Sequence, residues 1–219
     1  TGSQGTSLAL QYSHRAEELG ADAVMVAPPN IIAPSADELV EYFGRIARAI
    51  TIPIFMQDFA TAPIPPTVAG HISKKFENAC YAKVEAPPTP PRVAATVREG
   101  DGNLIVFGGA GGTMLIEELR RGAVGTMPHC AVPELFRKVW DVFQSGSPSK
   151  AENEFSRMGN ILRIISQGGG ASSLAIVKEI LKLRGIFKTS QVRHPATSLD
   201  KITLREIRSA VENSGVTTS

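Results

Sequence analysis

Lys83 lies inside the apolar run Ala79-Cys80-Tyr81-Ala82-Lys83-Val84-Glu85, and an amine within such a run is a candidate nucleophile. Alternation with a period of two puts Tyr81, Lys83 and Glu85 on one face of a strand and Cys80, Ala82 and Val84 on the other. Burial disfavours the ammonium form, which moves a lysine toward the state that attacks a carbonyl and forms a Schiff base. The plain alternative is a strand lysine whose ammonium snorkels to water. Glu85 is either the acid-base partner of this amine or only its ion-pair partner. Tyr81 shares the face but lies deeper, where a core tyrosine with a satisfied hydroxyl is the simpler reading than a proton relay.

Other residues could complete such a site. Gln57 and Asp58 sit at the carboxyl end of the run Ile52 to Phe59; an amide orients a carbonyl or a water, and a carboxylate there can contact substrate. Gly108-Gly109-Ala110-Gly111-Gly112 follows one strand-like run and precedes a helical one, so its N–H groups could hold a phosphate or carboxylate. Met114 stands where a GxGxxG motif needs its third glycine, which argues against dinucleotide binding. Gly108, Gly109, Met127 and Asp58 are therefore expected to contact substrate, and Lys83, Glu85 and Gln57 to act in catalysis. His129 and Cys130 follow the run Ala123 to Met127; a histidine there moves protons, or merely caps or meets solvent. His14, His71 and His194 are scattered, and neither Cys80 nor Cys130 has ligand spacing, so no metal or other cofactor is expected.

The elements that must position these groups alternate between strand-like and helical. Helices are expected over 7–19, from the Ser35/Glu38 capping box to Ile50, from Pro66 through Phe76, from Pro91 through Val97 and over 113–121. Strands are expected over 23–27, 52–59, 79–85, 103–107 and 123–127, and three or more helical segments close the chain. Gly168-Gly169-Gly170 reads as a helix–helix connection. Five strand–helix units imply parallel strands with right-handed crossovers, in a doubly wound sheet or a β/α barrel. The 219 residues are 42% apolar and 20% charged, with a net charge of +2 and interspersed signs. That is ordinary for a domain with a sizeable core and gives no reason to expect a nucleic-acid partner. No run approaches the ~20 apolar residues of a membrane span, and the cysteine usage fits a reducing compartment, so a cytoplasmic location is expected.

Four segments in order resemble the dihydrodipicolinate synthase and N-acetylneuraminate lyase family. They are Gly20-Ala21-Asp22-Ala23-Val24-Met25-Val26, Ile52-Pro53-Ile54-Phe55, Tyr81-Ala82-Lys83-Val84-Glu85 and Gly122-Ala123-Val124-Gly125-Thr126-Met127. The late segment Val177-Lys178-Glu179-Ile180-Leu181-Lys182-Leu183-Arg184-Gly185 is similar to that family's C-terminal helical region. The resemblance implies an α/β fold, a (β/α)8 TIM barrel with a C-terminal helical extension. It implies a partial barrel over 1–146 and helices over 147–219, with the family's strands 1–3 absent and Thr1-Gly2-Ser3 the tail of the third.

The resemblance also implies that Lys83 is the lysine forming a Schiff base with pyruvate or another 2-oxo acid. A lyase or synthase of class I aldolase type, assembled as a homo-oligomer (dimer or tetramer), is expected. Two departures stand out. Gln57-Asp58 replaces a Tyr-Asn pattern that carries the family's proton relay, and the glycine-rich turn replaces a Ser-Gly-Asp-Asp type of turn. The Gly-Thr-Thr-type segment that holds the substrate carboxylate in the family belongs to the absent region. Two other readings stay open: a non-catalytic member that binds a small acid or a protein, and a phosphate-binding α/β enzyme built on Gly108–Gly112.

Overall fold

The structure, a computed structural model, describes residues 1–168 and 170–216. It divides into two compact units, Thr1–Ala110 with Glu117–Met127, and Gly111–Ile116 with the residues from Pro128 onward. The first unit is built from α1 (Thr6–Glu18), β1 (Val24–Val26), α2 (Ala36–Ala49), β2 (Ile54–Asp58), α3 (Pro66–Lys75), β3 (Tyr81–Val84), α4 (Thr89–Gly100) and β4 (Ile105–Gly108). Its four strands form one parallel sheet in the order β1-β2-β3-β4, each joined to the next by a helix. This is the repeating unit that the alternation implied, since a parallel pair needs a long crossover.

One sheet face is dry. Val24, Val26, Ile54, Met56, Ala82, Val84 and Val106 pack against Leu39, Phe43 and Ile46 of α2, Val68 and Ile72 of α3 and Val93 of α4. Burying each large side chain contributes about 1.5–3 kcal/mol, so this layer holds the strands in register. The other face alternates with it and carries Lys83 and its neighbours. Phe55, Tyr81 and Ile105 lie level across three strands, and Gln57, Lys83 and Phe107 form the next row.

The local signals explain the helix boundaries. Ser35 accepts from Glu38 N–H, and the Glu38 carboxylate accepts from Ser35 N–H at 2.7 Å, which is the expected capping box at the start of α2. α4 begins at Thr89, two residues before the expected Pro91, because Pro90 and Pro91 occupy first-turn positions where an N–H has no helical partner. The stretch 123–127 is not a full strand: it makes a single parallel bridge, Gly108 to Thr126, where a fifth strand was expected. Pro128 comes next and has no N–H with which to extend the ladder.

The helix expected over 113–121 is shorter, α5 (Leu115–Leu119), preceded by a 3₁₀ turn at Ala110–Gly112. The second unit contains α6 (Pro133–Gln144), α7 (Pro148–Arg157), α8 (Gly159–Gln167), α9 (Ala171–Leu183) and α10 (Lys201–Ser214). Here α6 groups with α7, on which it packs, so the division precedes the one drawn at 146/147. Gly168 and Gly170 fall between α8 and α9 as expected, and Gly169 lies outside the described residues. Among the described residues no helix is long and apolar enough to cross a membrane.

Candidate active site

The backbone ladder carries Glu85 one step past β3: its N–H donates to the Asp58 carbonyl at 2.8 Å, which keeps it in phase with Lys83. Two residues apart on one face, the side chains meet, with Lys83 Nζ 2.9 Å from Glu85 Oε2. Both are largely removed from solvent, at 14% and 10% side-chain exposure. Lys83 does not snorkel. Register pairs Gln57 with Lys83, so Gln57 Nε2 reaches the same oxygen of Glu85, at 2.9 Å. The other oxygen accepts from Ala110 N–H at 2.8 Å. Glu85 thus takes three donors from three places in the chain: a cation, an amide and a peptide N–H.

Beneath this network lies an aromatic floor. Tyr81 stacks on Phe55 with ring centroids 4.4 Å apart, and Phe107 tilts against both. Tyr81 is a packing residue one row below Lys83, and the floor lowers the local dielectric around the ion pair. A cavity of about 220 Å³ opens beside Gln57, lined by Gly2, Ser3, Ala27, Phe59 and Thr61 among others. Its size suits an acid of a few carbons rather than a drug-sized ligand.

The structure brings together Lys83, Glu85 and Gln57, sets Gly109 against Glu85, and engages Asp58, Gly108 and Met127 in other pairings. Asp58 is buried on the opposite face of β2, because alternation sends neighbours to opposite sides. Its carboxylate accepts from Arg92 Nε and Nη2, the latter at 2.9 Å, and from the Ile64 N–H at 2.8 Å. Burial pushes the Asp58 carboxyl up, while Arg92 and the Ile64 N–H pull it back. It ties together β2, the following loop and α4. Gly108 is also committed: its N–H donates to the Gly125 carbonyl and its own carbonyl accepts from Met127 N–H. Its N–H is therefore taken by a carbonyl, and Met127 contributes its own N–H to the pairing.

Gly109 and Gly108 also serve as gaps. A Cβ on Gly109 would collide with Glu85 Cγ, and one on Gly108 would collide with Glu118 Oε2. Gly108→Ala is expected to cost about 2–3 kcal/mol by overpacking, measured by chemical unfolding. The double variant Gly108→Ala/Glu118→Ala is expected to regain part of that loss, because the colliding carboxyl is gone. His129 belongs to the second unit, where its ring would lie 3.5 Å from a Cβ on Gly111. Cys130 is exposed there.

Arg92 and Glu118 were not among the residues expected from the sequence. Nothing in its spacing marks Arg92, but helical periodicity does mark Glu118: Leu115 and Leu119 are buried, and the residue between them on that face is fully buried too. Thr89 Oγ1 donates to Glu118 Oε1 at 2.5 Å. Burial, with Glu117 and Glu85 adding repulsion, raises the Glu118 carboxyl to about 7 against the pull of Thr89. A carboxyl raised in the folded state stabilises the fold below its unfolded value and loses that contribution as pH rises through its folded one. Between pH about 4.5 and about 7 the wild type is therefore expected to lose about 2–3 kcal/mol relative to Glu118→Gln. Paired unfolding curves at pH 5 and pH 8 measure this.

A model of the dihydrodipicolinate synthetase family matches residues 1–214. The chain belongs to this family. Among its relatives, the L-2-keto-3-deoxyarabonate dehydratase of Azospirillum brasilense is 27% identical over 216 residues, covering 94% of this chain and 68% of that protein. A 4-hydroxy-tetrahydrodipicolinate synthase of Methanococcus maripaludis is 22% identical over 99% of this chain and 74% of its own length. The crystal structure of dihydrodipicolinate synthase from Thermotoga maritima superposes with a TM-score of 0.88 at 20% identity, over 98% of this chain and 73% of that one. The Rhodopseudomonas palustris enzyme gives 0.87 at 24% identity, over 97% and 72%. The sheet and helices described above have the α/β fold of the dihydrodipicolinate synthetase barrels, as the resemblance implied. The family is one of lyases and synthases, and within this chain Lys83, Glu85 and Gln57 form a closely knit polar cluster on the open sheet face.

Proposed function

We propose that this chain acts as a lyase on a 2-oxo acid, such as pyruvate or a larger relative, through a Schiff base on Lys83. The observation that supports it most is the Lys83–Glu85 pair at 2.9 Å, largely enclosed and fixed by Gln57, which lines the neighbouring cavity, and by Ala110. Glu85 takes a proton from the ammonium, and the freed amine attacks the C2 carbonyl to give a carbinolamine. The same carboxyl returns the proton to the departing hydroxyl, water leaves, and an iminium remains on Lys83. That cation draws electrons from the adjoining bond, so a proton can leave C3 to Glu85 and give an enamine. Gln57 orients the substrate carbonyl but has no proton to shuttle.

With one carboxyl in reach and an amide in place of a relay tyrosine, loss of a hydroxyl from the enamine is the outcome that needs fewest further groups. Similarity to a dehydratase supports this carbon–oxygen lyase reading over carbon–carbon cleavage or condensation. The reaction needs no cofactor beyond the lysine, and a cytoplasmic homo-oligomer is part of the same proposal. The phosphate reading loses ground, because the Ala110 N–H of the glycine turn already serves a carboxylate that would repel phosphate. Borohydride reduction in the presence of pyruvate tests the proposal: a reduced pyruvyl adduct on Lys83, found by peptide mass mapping, is expected. Absence of any adduct with a panel of 2-oxo acids, while ligand still raises the melting temperature, would favour a non-catalytic binder instead.

A further inference from the structure

We propose that Glu118 is a positioning residue for the Lys83 site, acting on the Glu85 carboxylate across the Gly108–Ala110 backbone. The proposal rests on the reading of Lys83 and Glu85 as the reactive pair. Two adjacent glycines leave room for a carboxyl group on each side of the chain. On the helix side, Glu118 Oε2 occupies the space where a Gly108 side chain would be. On the site side, Glu85 occupies the space beside Gly109 and takes the Ala110 N–H. The peptide that holds Glu85 is therefore pressed between two acids.

Glu118 is held firmly but incompletely. It is fully buried, its Oε1 accepts from the Thr89 hydroxyl at the start of α4, and its Oε2 is buried without a hydrogen-bond partner among the described residues. A carboxylate in that setting lacks half of its solvation, so the proton stays on it to higher pH than on a surface glutamate. The charged groups that act on it are Glu117 from its own helix and Glu85 from the end of β3, and α4 contributes the Thr89 hydroxyl. Neutral Glu118 leaves Lys83 and Glu85 as a balanced pair. Once ionised, it adds a second negative charge behind Glu85, and Lys83 is held more tightly as the ammonium, the form that cannot attack a carbonyl.

The test reads Lys83 without any substrate, so that it stands apart from the Schiff-base reading. Acetic anhydride labelling of Lys83 is followed from pH 6 to pH 9 in the wild type, Glu118→Gln and Thr89→Val. Glu118→Gln is expected to match the wild type at pH 6 and to label about threefold faster above pH 8. Thr89→Val, which removes a donor to the ionised form, is expected to move the wild-type break to higher pH. Superimposable curves, or a constant ratio between Glu118→Gln and wild type at every pH, would overturn the coupling, because a purely structural role gives no pH-dependent difference. Pyruvate trapping is run on the same three proteins. A labelling difference without any adduct rejects the Schiff base and leaves the coupling standing, whereas adducts with superimposable labelling curves do the reverse.

Discussion

Lys83→Met is expected to abolish borohydride-trappable adducts and to lower turnover of the 2-oxo acid by roughly 10⁴-fold or more, the scale of losing a covalent nucleophile. The fold is expected to survive. Glu85 loses one of its three donors but keeps Gln57 Nε2 and the Ala110 N–H, so its carboxylate is not orphaned. The methionine continues the aliphatic stem in the row it shares with Phe107, but the enclosed Glu85 carboxylate loses its cation, so a stability loss of about 2–4 kcal/mol is expected. Lys83→Arg gives a sharper control, since it keeps a cation beside Glu85 and removes the nucleophilic amine. Steady-state rates, adduct mapping and melting curves for both variants measure these effects. Turnover within tenfold of wild type in either variant would sink the covalent reading.

Asp58→Ala is expected to produce the largest loss of stability, about 3–5 kcal/mol, because it strands Arg92 where its charge is only partly solvated. For a chain of this length that corresponds to a melting temperature lower by roughly 10 °C. The Ile64 N–H loses its acceptor at the same time, so the loop after β2 loosens with the start of α4. The double variant Asp58→Ala/Arg92→Ala is expected to cost less than the sum of the single ones, since no charge is then left behind. Trapping on Lys83 in the cold, where Asp58→Ala remains folded, is expected to be unchanged. That combination separates a structural carboxylate from a substrate-binding one: a large loss of substrate affinity without loss of stability would restore the latter role.

Period-two alternation makes the centre of the site legible in the chain itself. Lys83 and Glu85 share a face by spacing alone, and Gln57 joins them because parallel pairing happens to set β2 level with β3. The same alternation places Asp58 on the other side, and its adjacency to Gln57 obscured that. The four strand–helix units were legible because each buried strand is a short apolar run and each helix between strands has its cap or first-turn proline. Residues 123–127 looked equally strand-like, but ladder formation depends on the partner strand and on the next residue, here Pro128. Glu118 could be placed on an apolar helix face from Leu115 and Leu119. Its partner Thr89 could not be read, because 29 residues separate them and only the packed chain brings them together.

The paired glycines at 108 and 109 also constrain how this protein can be re-engineered. Redesign of substrate preference usually adds side chains to a loop near the reacting atoms, yet here both directions out of the turn are already filled by carboxyl groups. The adjustable positions are those on the outer wall of the cavity, such as Asn30 and Thr61, which are exposed and can change size without disturbing Lys83. Libraries directed at that wall should yield folded variants with altered substrate range, and libraries directed at the turn should yield mostly unfolded ones.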